Sequence, residues 1–278
     1  MGKKSRLKNR ANKRERMPFV ARTFEGLPAE TDWIAMREFV SSATATAKLA
    51  DGGEVLICSL LPGGGAALVR PDGSIWVGLQ VPHNYGDISR DLAHAIALAQ
   101  QTEPGNPVPM TDPGVGPRLQ DVLDLSAPFE VTIHDGFDFW LTDVDVDSDA
   151  EAVLAEANET IAPSVKLSSV DGAYWTQMGH ERFLRWVMDH DDTALLDALA
   201  RLQAAGEDRL IDDSDLIGHF RAHGLLVPVW RIEVEATELE QPAVAFQERL
   251  QRALAQDAPL TQAERAARQN IISRQVAI

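Results

Sequence analysis

Hydrophobic positions along the chain follow two periods. Trp33, Met36, Phe39 and Val40 fall three or four residues apart, which predicts a helix over 31–40 with Thr31 as its cap. Residues 43–49 alternate as a strand, and Asp51-Gly52-Gly53 turns them into a mostly apolar strand at 54–61. Strands at 66–70 and 74–81 flank the turn Pro71-Asp72-Gly73. Ile88, Leu92, Ala95 and Ala99 then predict a helix over 87–101.

Residues 102–117 hold five prolines and three glycines, the best internal boundary or surface loop in the chain. A short helix is expected near 118–124, then strands at 129–133 and 137–142 around His134-Asp135-Gly136. A helix over 149–160 follows, then strands at 165–169 and 173–178. From residue 180 the helical period dominates. Phe183, Leu184, Trp186 and Val187 give one segment, and Leu195, Leu196, Leu199 and Leu202 give a stronger one ending at Gly206. Leu216, Ile217 and Phe220 predict a third, ending at Gly224. Residues 225–230 read as a strand, which Pro228 places at a sheet edge. Residues 244–254 are amphipathic, and Thr261 with Glu264 forms a capping box for a last helix.

The pattern predicts an α+β fold, with an antiparallel meander-rich N-terminal half and a helix-rich C-terminal half. The halves would form two subdomains, 23–101 and 118–235, divided by the 102–117 loop and followed by C-terminal helices over 236–278. Residues 1–22 are different: nearly free of hydrophobes up to Arg16, they predict a disordered arm.

Charge sharpens that division. The arm carries Lys3, Lys4, Arg6, Lys8, Arg10, Lys13, Arg14, Arg16 and Arg22 against one acid, Glu15. The whole chain has a formal net charge of −16, so the body is strongly acidic. Cations at this density neutralise phosphates and release counterions. The eight residues from Lys3 to Arg16 are therefore the candidate polyanion contact, with RNA, the ribosome or DNA as partner. Two other readings stay open: the arm folds onto its own acidic body or meets a protein, or it is a solubilising extension. The acidic body suits a protein partner.

Candidate chemistry elsewhere is sparse. His219 and His223 lie four apart on the expected helix, a spacing that can hold Zn²⁺, but Phe220 stands where a zincin has its Glu. Asp143, Asp145, Asp147 and Asp149 mimic a Ca²⁺ loop, yet Ala150 replaces its obligatory glycine. Gly63-Gly64-Gly65 lacks the Gly-Lys-Ser/Thr ending of a phosphate loop. Asp189, His190, Asp191 and Asp192 read as an acidic helix cap. The single Cys58 sits in an apolar run and reads as a buried thiol. The six tryptophans are spread one per element, as core residues are. No cofactor is implied. No stretch matches a membrane span or a secretory signal, so a cytoplasmic protein is expected.

Several stretches look familiar together: Met-Gly-Lys-Lys at the start, Pro18-Phe19-Val20-Ala21-Arg22-Thr23-Phe24-Glu25-Gly26-Leu27-Pro28, Asp32-Trp33, Arg37-Glu38-Phe39-Val40, Ser89-Arg90-Asp91-Leu92-Ala93, the leucines from Leu195 to Leu202, and Phe220-Arg221-Ala222-His223-Gly224-Leu225-Leu226-Val227-Pro228-Val229-Trp230. They resemble an uncharacterised family of actinobacterial cytoplasmic proteins with no established activity. Relatives labelled as a translocase ATPase or a type II topoisomerase find no support here: there is no Walker motif, no cysteine-rich zinc tail and no catalytic tyrosine context. The leading expectation is a non-enzymatic protein that binds a polyanion through its arm. The alternatives are a metal-dependent or other hydrolase using His219 and His223, and an acidic chaperone-like module for basic clients.

Overall fold

A computed structural model describes residues 19–142 and 148–276. The eight candidate arm cations, and Asp143, Asp145 and Asp147 of the acidic run, lie outside the described residues.

The first half builds a six-stranded sheet. It contains β1 (Ala43–Lys48), β2 (Glu54–Cys58), β3 (Ala67–Val69), β4 (Ile75–Gly78), β5 (Pro107–Val108) and β6 (Thr132–Ile133), in the order β5-β3-β4-β2-β1-β6. Its pairs are antiparallel except β2 with β4, which run parallel with Ile57 opposite Val77. A short 3-10 turn, Pro62–Gly64, reverses the chain between β2 and β3. Gly78 lets the backbones close there, because a Cβ on it would lie 2.5 Å from the Gly65 carbonyl oxygen. The triple glycine is thus a chain reversal. The proline-rich stretch contributes the edge strand β5, paired to β3 through Ala67 and Val108.

The second half builds a five-stranded antiparallel sheet from β7 (Ser164–Lys166), β8 (Ala173–Met178), β9 (Glu181–Trp186), β10 (Asp215–Ala222) and β11 (Leu225–Ile232), ordered β10-β11-β9-β8-β7. Two expected helices, around 183–187 and 216–220, are the strands β9 and β10. The reason is burial on both faces. Phe183, Val187 and Phe220 turn to one core and Leu184, Trp186 and Leu216 to the other. A strand covered on both sides is a continuous apolar run, which periodicity does not separate from a helix.

Pro228 is likewise not on an edge, because β11 lies between β10 and β9. It is opposite His219, whose backbone N–H donates away from β11 to the Arg274 carbonyl at 3.0 Å. The pair exchanges no backbone hydrogen bond, and the ladder between β11 and β9 runs from Ile232 to Val229, with a further bridge between Leu226 and Met188. The proline therefore withholds no hydrogen bond from His219, whose C=O accepts from the Val276 N–H instead.

Among the described residues seven α-helices complete the fold: α1 (Glu30–Glu38), α2 (Ile88–Ala99), α3 (Leu119–Val122), α4 (Ser148–Asn158), α5 (Asp192–Ala205), α6 (Glu240–Leu254) and α7 (Gln262–Ser273). Ala29, left-handed at φ 52°, precedes α1, so Thr31 lies inside the first turn and does not cap it. The strand expected at 137–142 is a 3-10 turn, Asp138–Leu141. Phe137 and Trp140, three apart, stack there with ring centres 4.4 Å apart and are buried. Three residues per turn bring them to one side, where a strand would part them.

Two cores share the second sheet. α1, α2 and the first sheet pack with Tyr174, Val187, Phe220, Leu225 and Val227 from one face. α5, α6 and α7 cover Trp175, Trp186, Leu226 and Trp230 on the other. The first core therefore draws on both halves of the chain.

Candidate functional site

The segment that follows the basic arm is inlaid between the two halves. Arg22 forms a fork on Glu30, with Nε donating to Oε1 at 2.7 Å and Nη2 to Oε2 at 2.8 Å, and it also reaches Asp189. Glu30 is 8% exposed, and these contacts raise the Arg22 guanidinium pKa above its ordinary value, the Glu30 hydrogen bond most. The Thr23 carbonyl accepts from Arg118 at 2.7 Å and Gln120 at 3.1 Å. Phe24 is buried against Trp33 and the His223 ring, with centres 5.8 and 4.9 Å away. Gly224 makes room, because a Cβ there would be 3.0 Å from the Ala21 carbonyl oxygen. Arg22, counted in the sequence with the arm, is tied to the body, the first of the described residues with a side-chain hydrogen bond to it.

Beside this anchor lies a cleft of about 530 Å³ lined by Phe19, Val20, Asn84, Ile88, Arg221 and His223. Phe19 is 83% exposed. The loop Asn84-Tyr85-Gly86 on its rim is fixed by buried charge on α2. Asp91 Oδ2 accepts from the Tyr85 N–H at 2.7 Å, and Arg90 donates to the Tyr85 carbonyl at 3.1 Å. Asp87 pairs with Arg118 at 2.8 Å, and Ser89 Oγ bonds both Gln120 and the Leu119 N–H. Burial pushes the Asp91 carboxyl up, more than the Tyr85 hydrogen bond and Arg90 lower it. One oxygen each on Asp87 and Asp91 and the Arg90 Nε remain without a partner in the described structure.

On the other side of Arg22 lies an acidic groove of about 690 Å³ that includes Glu25, Glu30, Asp32, Asp171 and Asp189. Asp32, 3% exposed, is its most buried member. It accepts from Tyr174 Oη at 2.7 Å and from Lys166 Nζ at 2.6 Å, joining α1 to β8 and β7. The Tyr174 hydroxyl is driven well above its usual pKa, first by burial and then by the Asp32 charge.

The histidine pair does not form one site. His219 lies on β10, not a helix, and its imidazole meets the Ile271 backbone of α7. Burial pushes its pKa down, and Arg221 adds to this. Its Nδ1 has no partner in the described structure. His223 lies in the β10–β11 turn at φ 48° and bonds Glu38 of α1 through Nε2 at 2.8 Å. Burial raises the Glu38 carboxyl pKa, but His223 and Arg37 outweigh it and leave the group below its usual range. A strand and its turn direct the two rings to different elements, where a helix would have stacked them. Among the described residues no group of three or more His, Cys, Asp or Glu is arranged to hold a metal ion.

The acidic cluster splits into separate tasks. Asp189 meets Arg22, Asp191 caps α5 by accepting from the Thr193 and Ala194 N–H groups, and Asp192 pairs with Arg221 at 2.6 Å. Cys58 is buried, and burial raises its thiol pKa far above the ordinary value. Five tryptophans are buried, and Trp76 carries the Arg70 guanidinium 4.4 Å from its ring centre. The Arg22 anchor and the Asp32 centre escape sequence reasoning, because Asp32 is 134 residues from Lys166 and 142 from Tyr174. Phe19, which follows the basic stretch and reads in the sequence as a first hydrophobic anchor with Val20 and Phe24, is instead exposed.

Fold and site together define an α+β protein of two sheets, its N-terminal segment pinned across their junction. The chain belongs to the family of unknown function DUF5926, whose model matches residues 23–278. No curated protein and no solved structure matches it.

Proposed function

We propose that this is a non-enzymatic binding protein whose basic arm contacts RNA or another polyanion while its acidic body contacts protein. The observation that carries this reading is the charge split: eight cations between Lys3 and Arg16 on a chain of net charge −16. The body adds support. Most of its own cations, such as Arg118, Lys166, Arg182, Arg221 and Arg268, are tied to carboxylates. Arg22, bound to Glu30 and Asp189, ties the residues next to the basic stretch to the body. The acidic surface then limits non-specific wrapping of nucleic acid. We place the protein in the cytoplasm, in keeping with its single cysteine; among the described residues no helix is long and apolar enough to cross a membrane.

The test exchanges all eight residues, Lys3, Lys4, Arg6, Lys8, Arg10, Lys13, Arg14 and Arg16, for glutamine in the full chain. Wild type is expected to co-purify with nuclease-sensitive, salt-labile nucleic acid and the variant without it. Equal binding by both, or binding indifferent to salt, overturns the reading.

A further inference from the structure

We infer that the open edge of β10 at Arg221, with the cleft beside it, docks an extended segment of a partner protein. The segment adds to the second sheet as a further strand and seats an apolar side chain in the cleft. The inference rests on the acidic body being a protein contact and names where and how that contact is made.

The register of the β10–β11 hairpin sets which backbone groups are free. Ala222 is opposite Leu225, Arg221 opposite Leu226, Phe220 opposite Val227 and His219 opposite Pro228. Opposed residues of an antiparallel pair alternate between exchanging hydrogen bonds and not. His219 turns both backbone groups away from β11, its N–H to the Arg274 carbonyl and its carbonyl to the Val276 N–H. Arg221, two residues on, is in the same register, so its N–H and C=O also point off the sheet. The Leu226 carbonyl fits this, since it turns the other way and accepts from the Met188 N–H at 3.2 Å. No backbone group among the described residues meets Arg221. β10 is an edge strand, and an unpaired edge is a template for another strand. One position earlier the protein uses it so, with Gln275 bridged to His219 in the parallel sense. A strand added at Arg221 continues that line.

The cleft gives the partner its chemistry. Arg221, His223 and Gly224 line it from the hairpin, and Val20, Ile88 and the exposed Phe19 give it apolar wall. Backbone pairing supplies affinity in strand addition, and a pocket for alternate side chains supplies selectivity. The charged groups of the lining are already paired within the protein. Arg221 holds Asp192 at 2.6 Å, and His223 holds Glu38 at 2.8 Å. An uncharged apolar side chain therefore suits the cleft, and the Asp192 carboxylate disfavours a phosphate there. Glu25, Asp171 and Asp189 on the far side of Arg22 favour basic residues flanking the apolar one.

The experiment uses the full chain, amide hydrogen exchange and a library of peptides of about eight residues, basic at both ends with Val, Ile, Leu or Phe at alternate inner positions. In the free protein the Arg221 amide is expected to exchange fast while those of Phe220 and Ala222 are protected. Peptides selected from the library should protect the Arg221 amide. N-methylating their backbone at alternate residues removes donors and should weaken binding about ten-fold or more. Val20→Asp, which puts a charge on the apolar wall, should weaken it about ten-fold, and protection at Phe220 and Ala222 checks that the variant is folded. An Arg221 amide protected in the free protein overturns the site. The edge is then already covered, by the chain's own last residues if protection ignores concentration and by a second copy if it rises with it. Peptides that leave Arg221 unprotected, that bind equally well when N-methylated, or that bind Val20→Asp as tightly as wild type overturn the site and leave the body's protein contact in place. If no peptide is selected even at low salt, the protein-contact reading fails and the site fails with it.

Discussion

Single residues at the junction carry more of the structure than their types suggest. Asp32 holds Tyr174 and Lys166 at once and is 3% exposed. Asp32→Ala would leave a phenol and an ammonium without their acceptor, and it is expected to cost about 3 kcal/mol in urea unfolding. Tyr174→Phe removes only one hydrogen bond to a charged group and is expected to cost about 1.5–3 kcal/mol. A reversed ranking would show that Asp32 is not the centre of this contact. His219 makes a pH-dependent contribution. Its folded pKa lies below its ordinary value because burial disfavours the imidazolium, so the unfolded chain binds the extra proton. Stability is therefore lost as pH falls through about 6.5 and on toward the lowered folded pKa. In His219→Gln that loss disappears, so the gap between the urea midpoints of variant and wild type is expected to narrow from pH 7.5 to 5. Asp32 reads in the sequence as an ordinary first-turn acid of α1. What makes it a centre is the arrival of β7 and β8 from more than a hundred residues away.

At the scale of elements, local chemistry was legible where it is self-contained. The α5 helix is closed by Asp191 at its start and by Gly206 at φ 74°, and the Thr261–Glu264 capping box opens α7. Asp191→Ala is expected to lower stability by about 1 kcal/mol, read as a fall in the thermal midpoint. Elements fixed by distant partners were not legible. Gly218 is one of these. Residues 274–276 run beside β10, where His219 N–H donates to the Arg274 carbonyl and Val276 N–H to the His219 carbonyl, each at 3.0 Å. A Cβ on Gly218 would lie 2.3 Å from the Arg274 oxygen. Gly218→Ala is therefore expected to detach the C-terminal strand. Amide hydrogen exchange at His219 and Val276 should accelerate while the β10–β11 ladder stays protected.

For the whole molecule the consequence is cooperativity. The second sheet is buried on both faces, once against the first sheet with α1 and α2 and once against α5, α6 and α7. Neither core keeps its walls if that sheet unfolds. One calorimetric transition is expected, with tryptophan emission changing in step, since Trp33 lies in the first core and Trp186 and Trp230 in the second. Two separated transitions would show that the cores are independent.

The sequence alone determined what depends on near neighbours and on composition: the α+β class, the turns at Asp51-Gly52-Gly53 and Pro71-Asp72-Gly73, the caps of α5 and α7, and the division of charge between residues 1–22 and the rest. These follow from backbone preferences within a few residues and from counting charges. Only the tertiary structure decided that β9 and β10 are strands, that Pro228 lies inside a sheet, that His219 and His223 point to different helices, and that Arg22 meets Asp189. Each depends on which surface covers a segment from far along the chain, and a run such as Phe183, Leu184, Trp186 and Val187 is apolar enough to satisfy either a helix face or a doubly covered strand.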